Sequence, residues 1–140
     1  MTLVVTIATA AHQDWLVAHD TEVTDAWVQR CLLQSEYVIA EWQGHPVGFL
    51  RYSLFWGKIP FMDMIRVRPE HRRRGVGVAL FQHWEALMRD NGATLLMTSA
   101  QADEPAPLAW HKRNGFSEAG AVQFGALQTV AEIFLVKDAS

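Results

Sequence analysis

The sequence predicts an α/β fold, a central mixed and largely antiparallel twisted sheet of about seven strands flanked by about four helices. Three features carry this reading. Two apolar, β-rich runs, Tyr37 to Trp42 and Val47 to Phe55, flank the turn Gln43-Gly44-His45-Pro46 and read as a hairpin. A strand from Phe61 to Val67, a long helix from Val76 to Asn91 and a buried strand from Thr94 to Ser99 form a strand–helix–strand unit. Two further strands, Phe116 to Val122 and Thr129 to Lys137, close the chain.

The remaining elements fit between these. Leu3 to Ala8 is β-branched and apolar and reads as the first strand. From His12 to Leu33 the pattern is helical but uneven, and it breaks near Asp20-Thr21, where Thr24 or Asp25 can cap a second helix. Pro69 ends the strand from Phe61. In the long helix Leu80, Trp84, Leu87 and Met88 fall at helical spacing, and Gly92 supplies the stop. Pro105 to Asn114 is a short helix with proline near its start and Gly115 just past its end. Trp84 and Trp110 read as core.

A chain of 140 residues fits one domain, 1–140, and can bury a core without disulfides or metal. The net charge of −3 argues against a nucleic-acid binder. The basic residues are nevertheless clustered, with Arg66, Arg68, Arg72, Arg73 and Arg74 close together, which points to a local anion site. The single cysteine, Cys31, sits in an apolar helical stretch, excludes an intrachain disulfide and suits a reducing cytoplasm. The start of the chain lacks the pattern of a signal peptide, and no window carries the ~18 apolar residues of a membrane span. The histidines lack metal-ligand spacing, so no metal site is expected.

The segment Arg72-Arg73-Arg74-Gly75-Val76-Gly77 joins a strand to the longest helix. The first N–H groups of a helix have no internal partner and its dipole is positive there, so this junction suits a phosphate. Glycine lets the backbone approach an anion without a Cβ in the way. The spacing is not G-x-G-x-x-G, and it lacks the G-K-[ST] ending of a P-loop. The stretch Ile65-Arg-Val-Arg-Pro-Glu-His-Arg-Arg-Arg-Gly-Val-Gly-Val-Ala-Leu resembles the acyl-CoA motif of the GNAT superfamily of N-acetyltransferases, and Trp110-His-Lys-Arg-Asn-Gly-Phe116 resembles that family's second signature. The order of elements agrees over nearly the whole chain.

The resemblance implies a GNAT fold and transfer of an acetyl group from acetyl-CoA to a primary amine by direct attack in a ternary complex. The loop would hold the CoA pyrophosphate through Arg72, Arg73, Arg74, Gly75, Val76, Gly77 and Val78. The backbone of Ile65, Arg66 and Val67 would pair with pantetheine, where this strand splays from Thr94 to Ser99. The family commonly places a tyrosine acid four residues before the Gly-Phe pair. Here that place is His111, a histidinium about a quarter charged at pH 7 if its pKa is about 6.5, or else a surface residue. Asp63, on the strand toward the thioester, is the first candidate base, or is paired with an arginine. Glu22 and Asp25, at the break between the first helices that walls the family's acceptor site, could meet a cationic substrate, or else be solvated surface residues. Trp27, Trp56 and Phe61 could form an aromatic acceptor pocket, or pack in the core. Glu132 is expected to pair with Arg51 or Arg66 inside the protein. The acceptor, a small molecule or a peptide, is not specified, and a homodimer is left open. Two other readings stand beside the enzyme: a degenerate CoA-binding sensor or interaction module, and a nucleotide- or phosphate-binding regulator.

Overall fold

A computed structural model describes residues 2–140. Its regular elements are β1 (Leu3–Ile7), α1 (Gln13–His19), α2 (Asp25–Leu33), β2 (Tyr37–Trp42), β3 (His45–Phe55), β4 (Ile59–Val67), α3 (Val76–Asp90), β5 (Leu95–Gln101), α4 (Pro105–Arg113), β6 (Ser117–Val122) and β7 (Glu132–Asp138). Three 3-10 turns, Ala10–His12, Pro69–His71 and Gly125–Leu127, were not anticipated from the sequence. The strands hydrogen-bond in the order β1-β2-β3-β4-β5-β7-β6. The β1–β2, β2–β3, β5–β7 and β6–β7 pairs are antiparallel. β4 and β5 run parallel, in register at Phe61↔Met97 and Met62↔Thr98. The mixed, largely antiparallel α/β architecture is the one the sequence predicts.

The chain is organised as two compact units, one from the residues up to Tyr52 with Met64–Ala86, the other from Ser53–Asp63 with Leu87–Ser140. In the first, Leu16, Val28, Cys31, Tyr37, Ile39 and Phe49 form a buried cluster, with Trp15 and Met64 packed against it. Burial also raises the pKa of the Cys31 thiol. Strand alternation turns Gly48 to the opposite face from Phe49, and α3 lies there. A Cβ on Gly48 would meet the Arg66 carbonyl oxygen at 3.0 Å, Leu80 Cδ1 at 3.2 Å and Val76 Cγ1 at 3.3 Å, so glycine permits the close approach of the helix start. The turn between β2 and β3 places Gln43 and Gly44 at φ 53° and 78°, the left-handed pair that a two-residue hairpin requires.

The break between α1 and α2 has a specific cause. Asp20 caps the end of α1, its N–H bonding to the Leu16 carbonyl at 2.7 Å. Its carboxylate turns inward and is 1% exposed. Oδ2 accepts from Tyr37 Oη at 2.5 Å and from Arg51 Nε at 2.7 Å. Four residues on, Thr24, one of the two caps the sequence offered, caps α2 by accepting from the Trp27 N–H at 3.2 Å.

In the second unit β7 lies between β5 and β6, with Leu96 and Leu135 fully buried. Thr98 Oγ1 donates to the Met62 carbonyl at 3.0 Å, and Phe61 meets Phe134 edge-on at 5.8 Å. Gly115 follows α4 at φ 98°, beside Lys137, whose Nζ donates to the Asn114 carbonyl at 2.9 Å. Trp110 is half-buried rather than core. The expected pairing of Glu132 with an arginine is not met. Its carboxylate accepts from Ser99 Oγ at 2.7 Å and from Gln128 Nε2 at 2.9 Å, so neutral donors satisfy it.

Replacing Arg51 by Met should leave the Asp20 carboxylate buried and without its counter-ion. A loss of about 3–5 kcal/mol is expected, as for other broken buried pairs. Urea unfolding of the two proteins measures it, and a loss under about 1 kcal/mol would show that the pair contributes little.

Candidate active site

The Arg- and Gly-rich loop is built entirely within the first unit. Arg68 N–H bonds to the Val47 carbonyl at 2.8 Å, which carries the pairing of the sheet one residue past β4. The 3-10 turn Pro69–His71 then reverses the chain. Arg72 Nε reaches back to the Val67 carbonyl at 3.1 Å and ties the loop to the end of β4. Arg73 and Gly75 are left-handed, at φ 63° and 79°. Turns of this kind make concave arrays of N–H groups that suit anions. The space where a Gly75 Cβ would stand is free of other atoms to 4 Å. Ala79 N–H bonds to the Gly75 carbonyl at 3.0 Å, which sets α3 in motion from this glycine. No acidic residue lies in the first turn of α3 to oppose an anion. Val76 is buried and anchors the helix start, while Arg72, Arg73 and Arg74 are exposed. The arrangement fits a pyrophosphate: free helix N–H groups, an open glycine and three guanidinium groups.

A pocket of about 320 Å³ lies in the same unit, lined by Trp15, Ala18, His19 and Thr21 at the end of α1, Phe49 of β3, and Arg66 to Pro69 with Arg72. Trp15 and His19, four residues apart on one helix face, stack at 4.1 Å and 19°. His19 Nδ1 lies 2.7 Å from the Trp15 carbonyl. A carbonyl only accepts, so Nδ1 carries a hydrogen. Sequence reasoning missed Trp15, His19 and Phe49. The i, i+4 spacing of two rings beside the helix break was the available signal.

The acceptor residues expected from the sequence do not line this pocket. Glu22 is exposed, and Trp27 is exposed with the Arg30 guanidinium 4.6 Å over its ring. In the second unit Trp56 is 77% exposed on the turn after β3, beside Phe55 at 4.7 Å. Phe61 is half-buried against Phe134. Asp63 is exposed on β4 and accepts from Ser53 Oγ at 3.2 Å.

His111 differs most from its expectation. It is 6% exposed, so it is not a surface residue, and it meets the rings of Trp110 and Phe116 edge-on at 5.6 and 6.0 Å. Its Nδ1 has no hydrogen-bond partner. Desolvation lowers its pKa to about 4. At pH 7 about one ring in a thousand is then charged, so the expected histidinium acid is corrected to a neutral, buried imidazole.

A profile of the acetyltransferase (GNAT) family matches residues 4–116. The chain belongs to the GNAT family. The chemistry of that family is acetyl transfer from acetyl-CoA to an amine. An aminoglycoside N(6')-acetyltransferase type 1 from Klebsiella aerogenes is 31% identical over 87 residues, which span 57% of this chain and 57% of that relative. Ard1 from Thermoplasma volcanium superposes with a TM-score of 0.86 at 14% identity, covering 99% of this chain and 98% of that one. The NatC complex bound to Gag peptide and CoA contains a chain with a TM-score of 0.81 at 14% identity, with 99% of each chain covered. These two structures share the GNAT fold with this chain. Among the described residues no helix is long and apolar enough to cross a membrane, and no three His, Cys, Asp or Glu residues gather as a metal-ligand set.

The position of His111 sets an acid sensitivity. Its pKa is about 4 in the folded chain and about 6.5 when unfolded, so its neutral form is favoured by folding. The associated stability is fully present above pH 6.5 and is lost as the pH falls through 4, for a total of about 3 kcal/mol. His111→Leu should therefore lose less stability than the parent between pH 7 and pH 4.5, measured by urea unfolding at both. Equal losses would place the acid sensitivity elsewhere.

Proposed function

We propose that this GNAT chain acetylates a primary amine by direct attack on acetyl-CoA in a ternary complex, and that the loop from Arg72 to Val78 is its pyrophosphate site. The observation that carries the reading is the left-handed turn at Arg73 and Gly75 feeding an open, acid-free helix start. The N–H groups of Val76, Gly77 and Val78 would bond the phosphate oxygens, and Arg73 and Arg74 would offset their charge. Arg72 holds the loop to Val67 and so sets its distance from the strand. The backbone of Ile65, Arg66 and Val67 would pair with pantetheine as an added strand, and an N–H near Val67 would polarise the thioester carbonyl.

In the reaction the amine lone pair forms the new C–N bond and the C–S bond breaks, with the electron pair leaving on sulfur. A lysine-like amine must first lose a proton, at a cost of about 4.6 kcal/mol at pH 7. Asp63, an exposed carboxylate held by Ser53, is the proposed acceptor of that proton. The nitrogen gives its second proton to solvent as the amide forms, and the thiolate takes its proton from solvent, because the one N–H of a neutral His111 is too weak an acid to supply it at pH 7. Turnover read as free CoA thiol distinguishes this enzyme from a CoA-binding sensor of the same fold.

Acetyl-CoA at a hundred times its Kd should stabilise the parent by about 2.7 kcal/mol. Gly75→Glu should abolish that stabilisation by placing bulk and negative charge where the pyrophosphate would sit. Gly92→Glu is the control, since Gly92 is also left-handed with open space around its Cβ but follows the end of α3. Thermal melts with and without acetyl-CoA measure both. A Gly75→Glu protein that still gains the full shift would move the site elsewhere.

A further inference from the structure

The pocket beside α1 has a chemistry that the loop and the thioester do not account for. One wall is aromatic, the Trp15–His19 stack with Phe49. The other is lined by Arg66, Arg68 and Arg72, and no acidic residue lines the pocket. The three arginines are not equivalent. Arg68 is paired with Glu70 at 3.0 Å, and Arg72 Nε is committed to the Val67 carbonyl. Among the described residues nothing pairs with Arg66.

The direction of Arg66 follows from the strand. Met64 packs against the cluster of Leu16, Val28 and Phe49, and alternation puts Arg66 on that same face two residues on. The apolar core ends there and the pocket begins. An unpaired cation at the mouth of an aromatic pocket attracts an anion and repels a second cation. It also favours the neutral form of a nearby amine, which is the form that attacks a thioester.

We infer that this pocket selects an acceptor whose amine is accompanied by a carboxylate and a flat apolar group, that is, a free aromatic α-amino acid, with Arg66 binding its carboxylate and the Trp15–His19 wall its side chain. The inference rests on the acetyltransferase reading proposed above. It runs against polycationic amines, the class named by the aminoglycoside enzyme that this chain resembles over part of its length. The volume of about 320 Å³ suits a ligand of this size and lies at the small end of small-molecule sites, roughly 300–1,000 Å³.

The test is calorimetric titration of the protein saturated with CoA. The probes are L-phenylalanine, L-phenylalanine amide, which keeps the α-amine and ring but lacks the carboxylate, and the aminoglycoside kanamycin. Phenylalanine should bind at least tenfold more tightly than its amide, and kanamycin should be the weakest. Arg66→Gln should bring the ratio of acid to amide close to one, a change that a general weakening of CoA or of the fold would not produce. Equal binding of acid and amide, tighter binding of kanamycin, or a preference that survives Arg66→Gln would each overturn the assignment. Thiol release from acetyl-CoA, followed with the same amines, separates the two claims. Selective binding without thiol release sinks acetyl transfer and leaves the pocket assignment standing. Thiol release with kanamycin or the amide as the preferred acceptor does the reverse.

Discussion

The first unit is organised around one buried oxygen. Asp20 Oδ2 accepts from a phenol of β2 and a guanidinium of β3, and the same residue ends α1. Three elements distant in sequence are thereby fixed at a point that water does not reach. The phenol pays for this in acidity, its pKa driven up by burial and by the carboxylate beside it. A carboxylate kept this far from solvent is tolerable only with its charge matched, which ties the strands to the helix end more tightly than apolar packing alone. The consequence for the site is direct. Where α1 stops decides where Trp15 and His19 stack, and the chain that leaves Asp20 supplies Thr21 to the pocket.

The proposed CoA loop shows a different solution, in which conformation rather than burial is fixed in advance. Arg73 occupies the left-handed region without being glycine, a position that costs on the order of 1 kcal/mol or more. Arg72 holds the turn from one side and the buried Val76 from the other. N–H groups ordered before the ligand arrives spare the ordering entropy at the moment of binding. Gly48 contributes from beneath, because its missing side chain is what lets Val76 and Leu80 of α3 lie so close to β3.

Periodicity and turn chemistry made most of the architecture legible in the sequence. The hairpin around Gln43-Gly44, the cap at Thr24 and the stop at Gly92 all act within a few residues of themselves, and each was visible. The loop was legible for the same reason: its arginines and glycines are contiguous. The three 3-10 turns carry no apolar period and left no trace. What failed depended on distant contacts. The sequence offered Glu132 either Arg51 or Arg66 because all three are charges within strands, yet Asp20 at a helix end took Arg51. Likewise His111 was read by its chemistry, while its charge state is set by the aromatic neighbours and the burial that the fold imposes. Trp27 and Trp56 were chosen as large aromatic residues, but Trp15 and Phe49 line the pocket because a helix ends and a strand face continues there.

Cys31 has a practical consequence. It is the one sulfhydryl of the chain, it is 2% exposed, and burial discourages its ionisation. A disulfide reagent reacts with thiolates that it can reach, and the folded protein offers it none. Colour developing in a continuous assay of the intact protein therefore originates from released coenzyme, without a background from the catalyst. The same residue becomes a reporter when the first unit opens, since its labelling rate then counts excursions of the α2 core into water.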